Sequence, residues 1–435
     1  MDIENVRKDI ILKDETYYFD YTATGLACKS IENEIQSILE TYSNIHSESS
    51  ELARITNEYY ENSRRGLKGL LALDDSFYLI PCGNGATAAI KRFQEIMGIY
   101  IPPATRDFLG LNIKNMDNLP LVLVSPYEHH SNEISYRQGV CETIRVSLDK
   151  NGEINFDELK EILEKNRGRK IIAAFSVASN VTGVLTDYKK LYLTIKAYGG
   201  TVLLDASSYI AYDNVDCNFY DAMVFSSHKL LGGVAGCGVL VIKKNLCKCK
   251  EPTFAAGGTV QYVNRKHEVF ALDKEQLEQP GTPGIIALIR AFLAFKLRNS
   301  IGLENIRKKE KELGEYFLSK ITKINDVTLY AKNVKDRLAV FSFNVKGYNP
   351  YDFASILSQN YYVETRAGCA CAGPYGHDLL ELDDMDFLDY DKPGWVRISI
   401  HYTHTKEDID YLISAIKAVI KKRGKIKFSQ GRYLC

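Results

Sequence analysis

The chain has 435 residues, of which 45% are hydrophobic and 25% charged, a balance typical of a globular protein with one large domain and a smaller companion. Lysine plus arginine equals aspartate plus glutamate, at 55 each, so no net charge recruits nucleic acid or an anionic membrane surface. No stretch approaches the roughly 20 consecutive apolar residues that a bilayer-spanning helix needs, so we expect no membrane partner.

Residues 1–25 are predicted to form an arm that packs with the C-terminal domain, because a short amphipathic start precedes the strand-like run YYFDYTATG. The opening MDIENVRKDIILKDE is charged throughout, unlike a secretory signal. Together with ten cysteines, this favours reduced thiols in a cytoplasmic compartment. Two helices follow the arm, and the second, over about 50–71, is predicted to bury Leu52, Ile55 and Tyr59.

The next run, SFYLIPCGNGATAAIKRFQEIM, has the pattern of a strand, a glycine turn and a helix. From Gly83 it matches a relaxed dinucleotide fingerprint. The acid that should close that fingerprint, about 20 residues on, comes only at Glu128, which disfavours a nicotinamide site. The predicted helix N-terminus at Gly85, Ala86 and Thr87 still suits a phosphate, through free amide groups and the helix dipole.

Three further predicted strands end in polar residues. LVLVSPYEHH ends in the pair His129-His130, AAFSVASN in Asn180, and TVLLD in Asp205. Helix or loop separates these strands, which predicts a mostly parallel sheet with the functional site at the carboxyl ends of the strands. For the histidine pair, capping of the following turn is the alternative interpretation.

The stretch FYDAMVFSSHKLLGGVAGCGVLVI places Lys229 between two apolar strands. Burial there lowers the pKa of the amine and makes it nucleophilic, whereas a surface loop with the lysine in water is the alternative. Ser226 and His228 supply donors beside it, and the following glycines are predicted to let backbone approach a ligand closely. An aldehyde cofactor with a pyridine ring and a phosphate requires this set, with Asp205 for the ring nitrogen.

From Ile301 the pattern changes to a charged helix, short strands and two more helices, which predicts a two-layer α+β domain. Within it, YVETRAGCACAGPYGH places Cys369 and Cys371 among small residues typical of a loop, where thiols are exposed and reactive; small buried cysteines are the alternative. Arg366 is expected to keep the thiol ionised. Arg397 lies in the predicted strand GWVRISI, where a buried arginine needs an anionic partner.

Two close cysteine pairs, Cys-Lys-Cys at 247–249 and Cys-Ala-Cys at 369–371, raise the question of a metal site. Neither pair has a second CxxC or HxxxH partner at zinc-site spacing. His401 and His404 do not supply one. We therefore predict no metal.

Two motifs resemble a known family. The Ser-x-His-Lys sequence ending at Lys229 resembles the class V aminotransferase-like pyridoxal-phosphate enzymes, and Cys371, five residues after Arg366, resembles their cysteine desulfurase and selenocysteine lyase branch. The resemblance runs from about residue 18 to 415. It implies an α/β protein of the pyridoxal-phosphate-dependent transferase fold type I, whose large domain holds a mostly parallel seven-stranded sheet. With the arm, the expected divisions are 26–300 for this domain and 301–435 for the smaller α+β domain.

The same resemblance implies residue roles. Lys229 would hold pyridoxal 5'-phosphate, His129 would lie flat on its ring and shuttle protons, and Arg397 would fork onto the substrate carboxylate, with Arg366 as the alternative anchor. Ser208 stands where the family usually has a glutamine. The expected cofactor-binding residues are Lys229, Asp205, His129, Asn180, Gly85, Ala86, Thr87, Ser226, His228 and Ser208.

The resemblance also implies a homodimer in which a threonine of one subunit reaches the phosphate of the other. We find no good threonine match, and His267 is the expected substitute. The implied activity removes sulfur from L-cysteine, or selenium from selenocysteine, and passes it to Cys371 and then to a sulfur-acceptor protein. Three alternatives stay open: a cysteine or cystine C–S lyase, a class V aminotransferase or epimerase, and a non-catalytic cofactor-binding partner protein.

Overall fold

Short elements make up the N-terminal arm and connect it to both halves of the chain. They are α1 (Ile3–Asp9), β1 (Ile10–Ile11), β2 (Tyr17–Tyr18) and β3 (Ala27–Cys28). Strand β1 pairs with β3, whereas β2 pairs in parallel with Val363–Glu364 of the C-terminal part. Phe19 is fully buried in the hydrophobic cluster of that part, and Arg7 forms an ion pair with Asp408. The arm therefore packs with the C-terminal part.

A seven-stranded sheet forms the centre of the large part of the molecule. The computed structural model describes residues 1–47, 49–113, 116–383, 393–429 and 432–434. The sheet strands are β4 (Phe77–Asn84), β5 (Leu121–Val124), β6 (Glu142–Arg145), β7 (Ile171–Ser176), β8 (Thr201–Asp205), β9 (Ala222–Ser226) and β10 (Cys237–Lys243). Their order across the sheet is 4-10-9-8-7-5-6, and β10 is antiparallel to both of its neighbours. The predicted mostly parallel sheet is confirmed.

Helices cover the faces of this sheet, which is why strands such as LVLV and IIAAFS are apolar at nearly every position. They are α2 (Lys29–Leu39), α3 (Glu51–Leu70), α4 (Gly85–Ile96), α5 (Pro103–Phe108), α6 (His130–Arg137), α7 (Phe156–Lys165), α8 (Tyr188–Lys196), α9 (Lys274–Leu277) and α10 (Ile285–Ile301). An exposed hairpin, β11 (Val260–Val263) and β12 (Glu268–Phe270), precedes α9. Among the described helices, none combines the length and apolarity that a membrane crossing requires.

The buried face of α3 differs from the prediction. Leu52 and Tyr59 are 46% and 40% exposed, whereas the buried face of the helix includes Tyr60 and several small or polar residues. The reason is the close packing of α3 on α10, in which a Cβ on Gly66 would lie 2.4 Å from the ring of Phe292. Small side chains therefore face α10, although hydrophobicity alone predicts that Leu52 would be buried there.

Gly302, in a left-handed conformation (φ +91°), separates α10 from the C-terminal elements. These are α11 (Leu303–Ile321), β13 (Val327–Leu329), β14 (Val340–Val345), α12 (Pro350–Tyr361), β15 (Val363–Glu364), β16 (Arg366–Gly368), α13 (Gly373–Leu380), β17 (Trp395–Ser399), α14 (Lys406–Lys421), β18 (Lys427–Ser429) and β19 (Arg432–Leu434). An antiparallel sheet of order 13-14-17-16 packs with helices, as predicted for an α+β unit. The boundaries at residues 25 and 300 stay predictions, and the break at Gly302 supports the second.

Candidate active site

A cavity of about 450 Å³ lies at the carboxyl ends of the central strands, where the C-terminal part meets the sheet. The structure brings all the predicted site residues together around it: Gly85, Ala86, Thr87, His129, Asn180, Asp205, Ser208, Ser226, His228, Lys229, Arg366, Cys371 and Arg397. His267 lies elsewhere, in the exposed turn of the β11–β12 hairpin. Several hydroxyl residues of the lining were not predicted from the sequence, namely Thr22, Thr24, Ser131, Ser176 and Ser207.

Lys229 reaches the cavity because β9 ends at Ser226 and a short 3-10 turn carries the chain across the edge of the sheet. Burial lowers the pKa of its amine to about 8, against an ordinary value of 10.5. The Asp205 carboxylate opposes this shift, while the nearby Arg397 and Arg366 add to it. Near neutral pH the amine therefore loses its proton far more readily than a surface lysine does.

Asp205 and His129 both lie where strands of the central sheet end. Asp205 ends β8, is 6% exposed, and accepts a hydrogen bond from the backbone N–H of Ser207 at 2.9 Å. His129 is the N-cap of α6, and its Nδ1 accepts the N–H of Ser131 at 3.1 Å. Burial and the Lys229 amine lower the pKa of His129 to about 4, so its imidazole is neutral at physiological pH.

Glu128 anchors the His129 segment to the sheet. Its buried carboxylate accepts the backbone N–H and the hydroxyl of Ser176, both at 2.6 Å, and the Asn132 amide at 2.8 Å. Burial raises the pKa of Glu128 to about 7. Because Ser176 ends β7, these bonds hold the histidine segment on the neighbouring strand.

An anion cradle lies at the N-terminus of α4. A Cβ added to Gly85 (φ +66°) would lie 3.2 Å from Ser226 Oγ and 3.7 Å from His228 Nε2, so these two side chains converge there. The Ala86 N–H donates to Ser226 Oγ at 2.7 Å, and the Thr87 and Ser131 hydroxyls are 2.7 Å apart. A helix N-terminus, hydroxyls and an imidazole together suit a phosphate.

The glycines after Lys229 allow close packing within the chain, and their predicted approach to a ligand stays a prediction. A Cβ on Gly238 would lie 1.9 Å from the carbonyl oxygen of Gly85, and one on Gly236 would lie 2.4 Å from Ser227 Oγ. These glycines let β10 approach the lysine turn and the start of α4. Gly236 itself lines the cavity.

The Cys371 loop joins β16 to α13 and borders the cavity. Ala370 and Cys371 both have left-handed backbone conformations, with φ of +50° and +59°. The Asn180 amide Nδ2 donates to the carbonyl of Ala370 at 2.7 Å, while its Oδ1 is buried with no hydrogen-bond partner in the described structure. Cys371 itself is partly exposed. Asn180 thus connects the cysteine loop with the cavity and keeps an acceptor free.

Two arginines face each other across β16 and β17, because Arg366 and Arg397 are register partners. Arg397 is 2% exposed, and its Nη2 contacts the Asp20 carboxylate of the arm at 2.5 Å. Its Nη1 donates to the carbonyl of Asn180 at 3.0 Å. Asp20 was not predicted as this anion, although the strand-like run YYFDYTATG contains an acid and Arg397 requires an anionic partner.

Fold and cavity together define an α/β protein whose cavity holds a desolvated amine and, at the N-terminus of α4, a cradle suited to an anion. The model of the family described as "Aminotransferase class-V" matches residues 17–412. The chain belongs to the class V aminotransferase family, which confirms the resemblance inferred from the Lys229 motif.

Curated and solved relatives match almost the whole chain. A probable cysteine desulfurase of Pyrococcus abyssi (strain GE5 / Orsay) is 27% identical over 424 residues, which cover 96% of this chain and 98% of that protein. One from Staphylococcus epidermidis (strain ATCC 12228 / FDA PCI 1200) is 28% identical over 432 residues and 96% of each chain. The apo structure of the cysteine desulfurase from Thermococcus onnurineus NA1 superposes with a TM-score of 0.82 at 24% identity, covering 97% of this chain and 99% of that one. This last likeness supports the fold.

Proposed function

We propose that the chain is a pyridoxal-phosphate-dependent cysteine desulfurase, which removes sulfur from L-cysteine, or selenium from selenocysteine, and leaves alanine and a protein-bound persulfide. The observation that carries the proposal is that Cys371 and the buried Lys229 border the same cavity. The names of the Pyrococcus abyssi and Staphylococcus epidermidis relatives support it. The experiment that tests it measures alanine and sulfide formed from cysteine, with a thiol reductant, by the purified protein carrying its cofactor.

The residues of the cavity fit pyridoxal 5'-phosphate, on which the family generally depends. The convergence of Ser226 and His228 on Gly85, at the start of α4, suits the phosphate, and the unpaired Oδ1 of Asn180 leaves an acceptor for a polar group of the ring. Asp205 supplies a buried carboxylate for the ring nitrogen. When bound, the cofactor supplies an electron sink for the bond that breaks at the substrate α-carbon.

Lys229, His129 and Cys371 have separate roles in the proposed reaction. The Lys229 amine would hold the cofactor and, once freed by the substrate amine, would act as base at the substrate α-proton. His129, neutral in this environment, would lie against the bound ring and move protons. The Cys371 thiolate attacks the substrate sulfur: an S–S bond forms, the C–S bond breaks, and its electron pair stays with the carbon fragment, which takes up a proton to become alanine.

The alanine and sulfide assay also separates the three alternatives. A C–S lyase releases sulfide without any protein cysteine, and its carbon product is not alanine. An aminotransferase or epimerase consumes amino acid without breaking the C–S bond, and a non-catalytic partner protein binds cofactor without turnover. Only a desulfurase gives the Cys371 loop a chemical role.

Arg397→Ala is expected to raise KM for cysteine strongly. Removing one side of a desolvated arginine–carboxylate pair costs roughly 2–5 kcal/mol, or about 30-fold to several thousand-fold in affinity. Because Asp20 occupies part of the Arg397 fork, the substrate carboxylate has to share or displace that contact. Steady-state kinetics, with the cofactor absorbance as a check on the site, measures the effect.

Arg397→Lys is the matched control, and it should recover only part of the affinity because lysine lacks the planar fork. An unchanged KM in Arg397→Ala would mean that Arg366, its partner across the sheet, or another residue anchors the substrate carboxylate.

We also propose that the protein is a homodimer that uses the surface around the β11–β12 hairpin. Large apolar side chains are exposed together there: Phe254, Tyr262, Val263, Val269 and Leu272. Several large apolar side chains exposed on one segment favour a protein–protein interface, and two-fold dimers are the commonest oligomers. His267, in the turn of the same hairpin, would then approach the partner's phosphate site.

Leu272→Glu is expected to shift the dimer towards monomer, because it places a charge on a side chain that is 84% exposed within this surface. Leu193→Glu is the control, since Leu193 is 62% exposed on α8. Sedimentation velocity measures both variants. A fully active monomeric wild-type protein would remove the dimer proposal and the role of His267.

A sulfur-acceptor protein is the expected partner, because a persulfide on a partly exposed loop cysteine is accessible to a second thiol. The cytoplasmic location remains a prediction from the cysteine content.

A further inference from the structure

His130, the neighbour of the expected ring-covering histidine, makes two hydrogen bonds to the segment that carries Cys371. Its backbone N–H donates to the carbonyl of Cys371 at 2.7 Å, and its ring Nε2 accepts the N–H of Gly373 at 2.8 Å. A Cβ on Gly373 would lie 3.0 Å from that Nε2, so the ring sits directly on the first residue of α13. His130 therefore caps α13 from another part of the chain.

The loop needs such support from outside. Two consecutive non-glycine residues, Ala370 and Cys371, adopt left-handed backbone conformations, which persist only where surrounding contacts hold them. Inside the loop, the Ala372 N–H donates to the Cys369 carbonyl at 3.0 Å. From the sheet side, Asn180 holds Ala370 and His130 holds both Cys371 and Gly373. Of the three contacts from outside the loop, His130 therefore supplies two, and these lie on either side of Ala372, next to Cys371.

The surroundings of His130 keep its ring suited to this contact. Burial lowers the pKa of the imidazole, Arg137 adds to the effect, and Glu133 opposes it. His129 is its neighbour along the chain, with the two ring centroids 6.4 Å apart. An Nε2 that accepts the Gly373 N–H is unprotonated, so the neutral ring carries its proton on Nδ1.

We propose that His130 is a positioning residue that fixes the Cys371 loop in the geometry for sulfur transfer, without touching the substrate or the cofactor. The sulfur-transfer part of this inference rests on the proposed function, whereas the attachment of the loop does not. His130 is not one of the described residues that line the cavity. Its effect on the reaction therefore passes through the position of the thiol.

The experiment compares His130→Ala with His130→Gln in the cofactor-loaded protein. The glutamine side chain places an amide oxygen near the position of Nε2, so it can still accept the Gly373 N–H, whereas alanine cannot. Ile134→Ala, an exposed position on the same helix, controls for changes in α6. The measurements are kcat and KM for alanine formation, the cofactor absorbance, and the rate of Cys371 alkylation by iodoacetamide, followed by peptide mass spectrometry.

For His130→Ala we expect kcat to fall roughly tenfold, the equivalent of one hydrogen bond, with KM and cofactor absorbance little changed. Cys371 alkylation should accelerate several-fold, and His130→Gln should restore both values towards wild type. Unchanged kcat and alkylation in His130→Ala, or equal defects in both His130 variants, would overturn the inference. A wild-type protein that forms no alanine would overturn only the proposed function, and the alkylation rates would still decide whether His130 holds the loop.

Discussion

Replacing Cys371 with alanine should abolish persulfide formation and lower alanine production by at least about a hundredfold, with the cofactor still bound. Cys371 lines the cavity beside Lys229, while the contacts that suit the cofactor come from other residues. The variant should therefore retain the cofactor absorbance. Mass spectrometry of the loop peptide after cysteine turnover should find the added sulfur on Cys371 in the wild-type protein.

Cys369→Ala is the matched control, because it removes the neighbouring thiol from the same loop. It should keep most of the activity, since the spacing from Arg366 selects Cys371. Sulfur found only on Cys369 would show that this spacing was misinterpreted. If neither cysteine carried sulfur and both variants still released sulfide, the protein would be a lyase.

Lys229→Ala is expected to eliminate the covalent cofactor linkage that borohydride traps in the wild-type protein. The linkage requires an uncharged amine in the cavity, and Lys229 is the residue whose burial lowers its pKa to about 8. Lys244→Ala, which changes an exposed lysine just after β10, is the control and should leave trapping unchanged. Trapping that survives in Lys229→Ala would identify another lysine as the attachment site.

The same lysine gives a pH dependence of defined sign. Only the unprotonated amine attacks a carbonyl, so cofactor capture by the cofactor-free protein should rise with pH around a midpoint near 8, not near the ordinary 10.5. Because the Asp205 carboxylate raises the pKa of Lys229, Asp205→Asn should move this midpoint to lower pH. Absorbance of the bound cofactor after mixing at a series of pH values measures it.

Much of the fold and of the candidate site followed from local sequence pattern. Parallel strands meet at one edge, so polar residues at their ends, such as Asp205 and Asn180, had to converge. The partner of Arg397 could not be inferred in this way, because nothing local to Asp20 indicates which distant cation it meets. The inward face of α3 was misjudged for a related reason: tight contact between two helices, as at Gly66, depends on shape and leaves no hydrophobic period in the sequence.

The arm that supplies Asp20 also determines when the cavity is completed during synthesis. Asp20 and Arg397 are 377 residues apart, and β2 pairs with β15 near the other end of the chain. On the ribosome, the large sheet emerges before β15 and β17, so β2 and Asp20 meet these C-terminal partners only after both strands have left the exit tunnel. Contacts between residues so far apart in the sequence form more slowly than local contacts. Arg397 therefore meets Asp20 only after the large sheet has emerged, and a nascent chain cannot complete this wall of the cavity ahead of its C-terminal sheet.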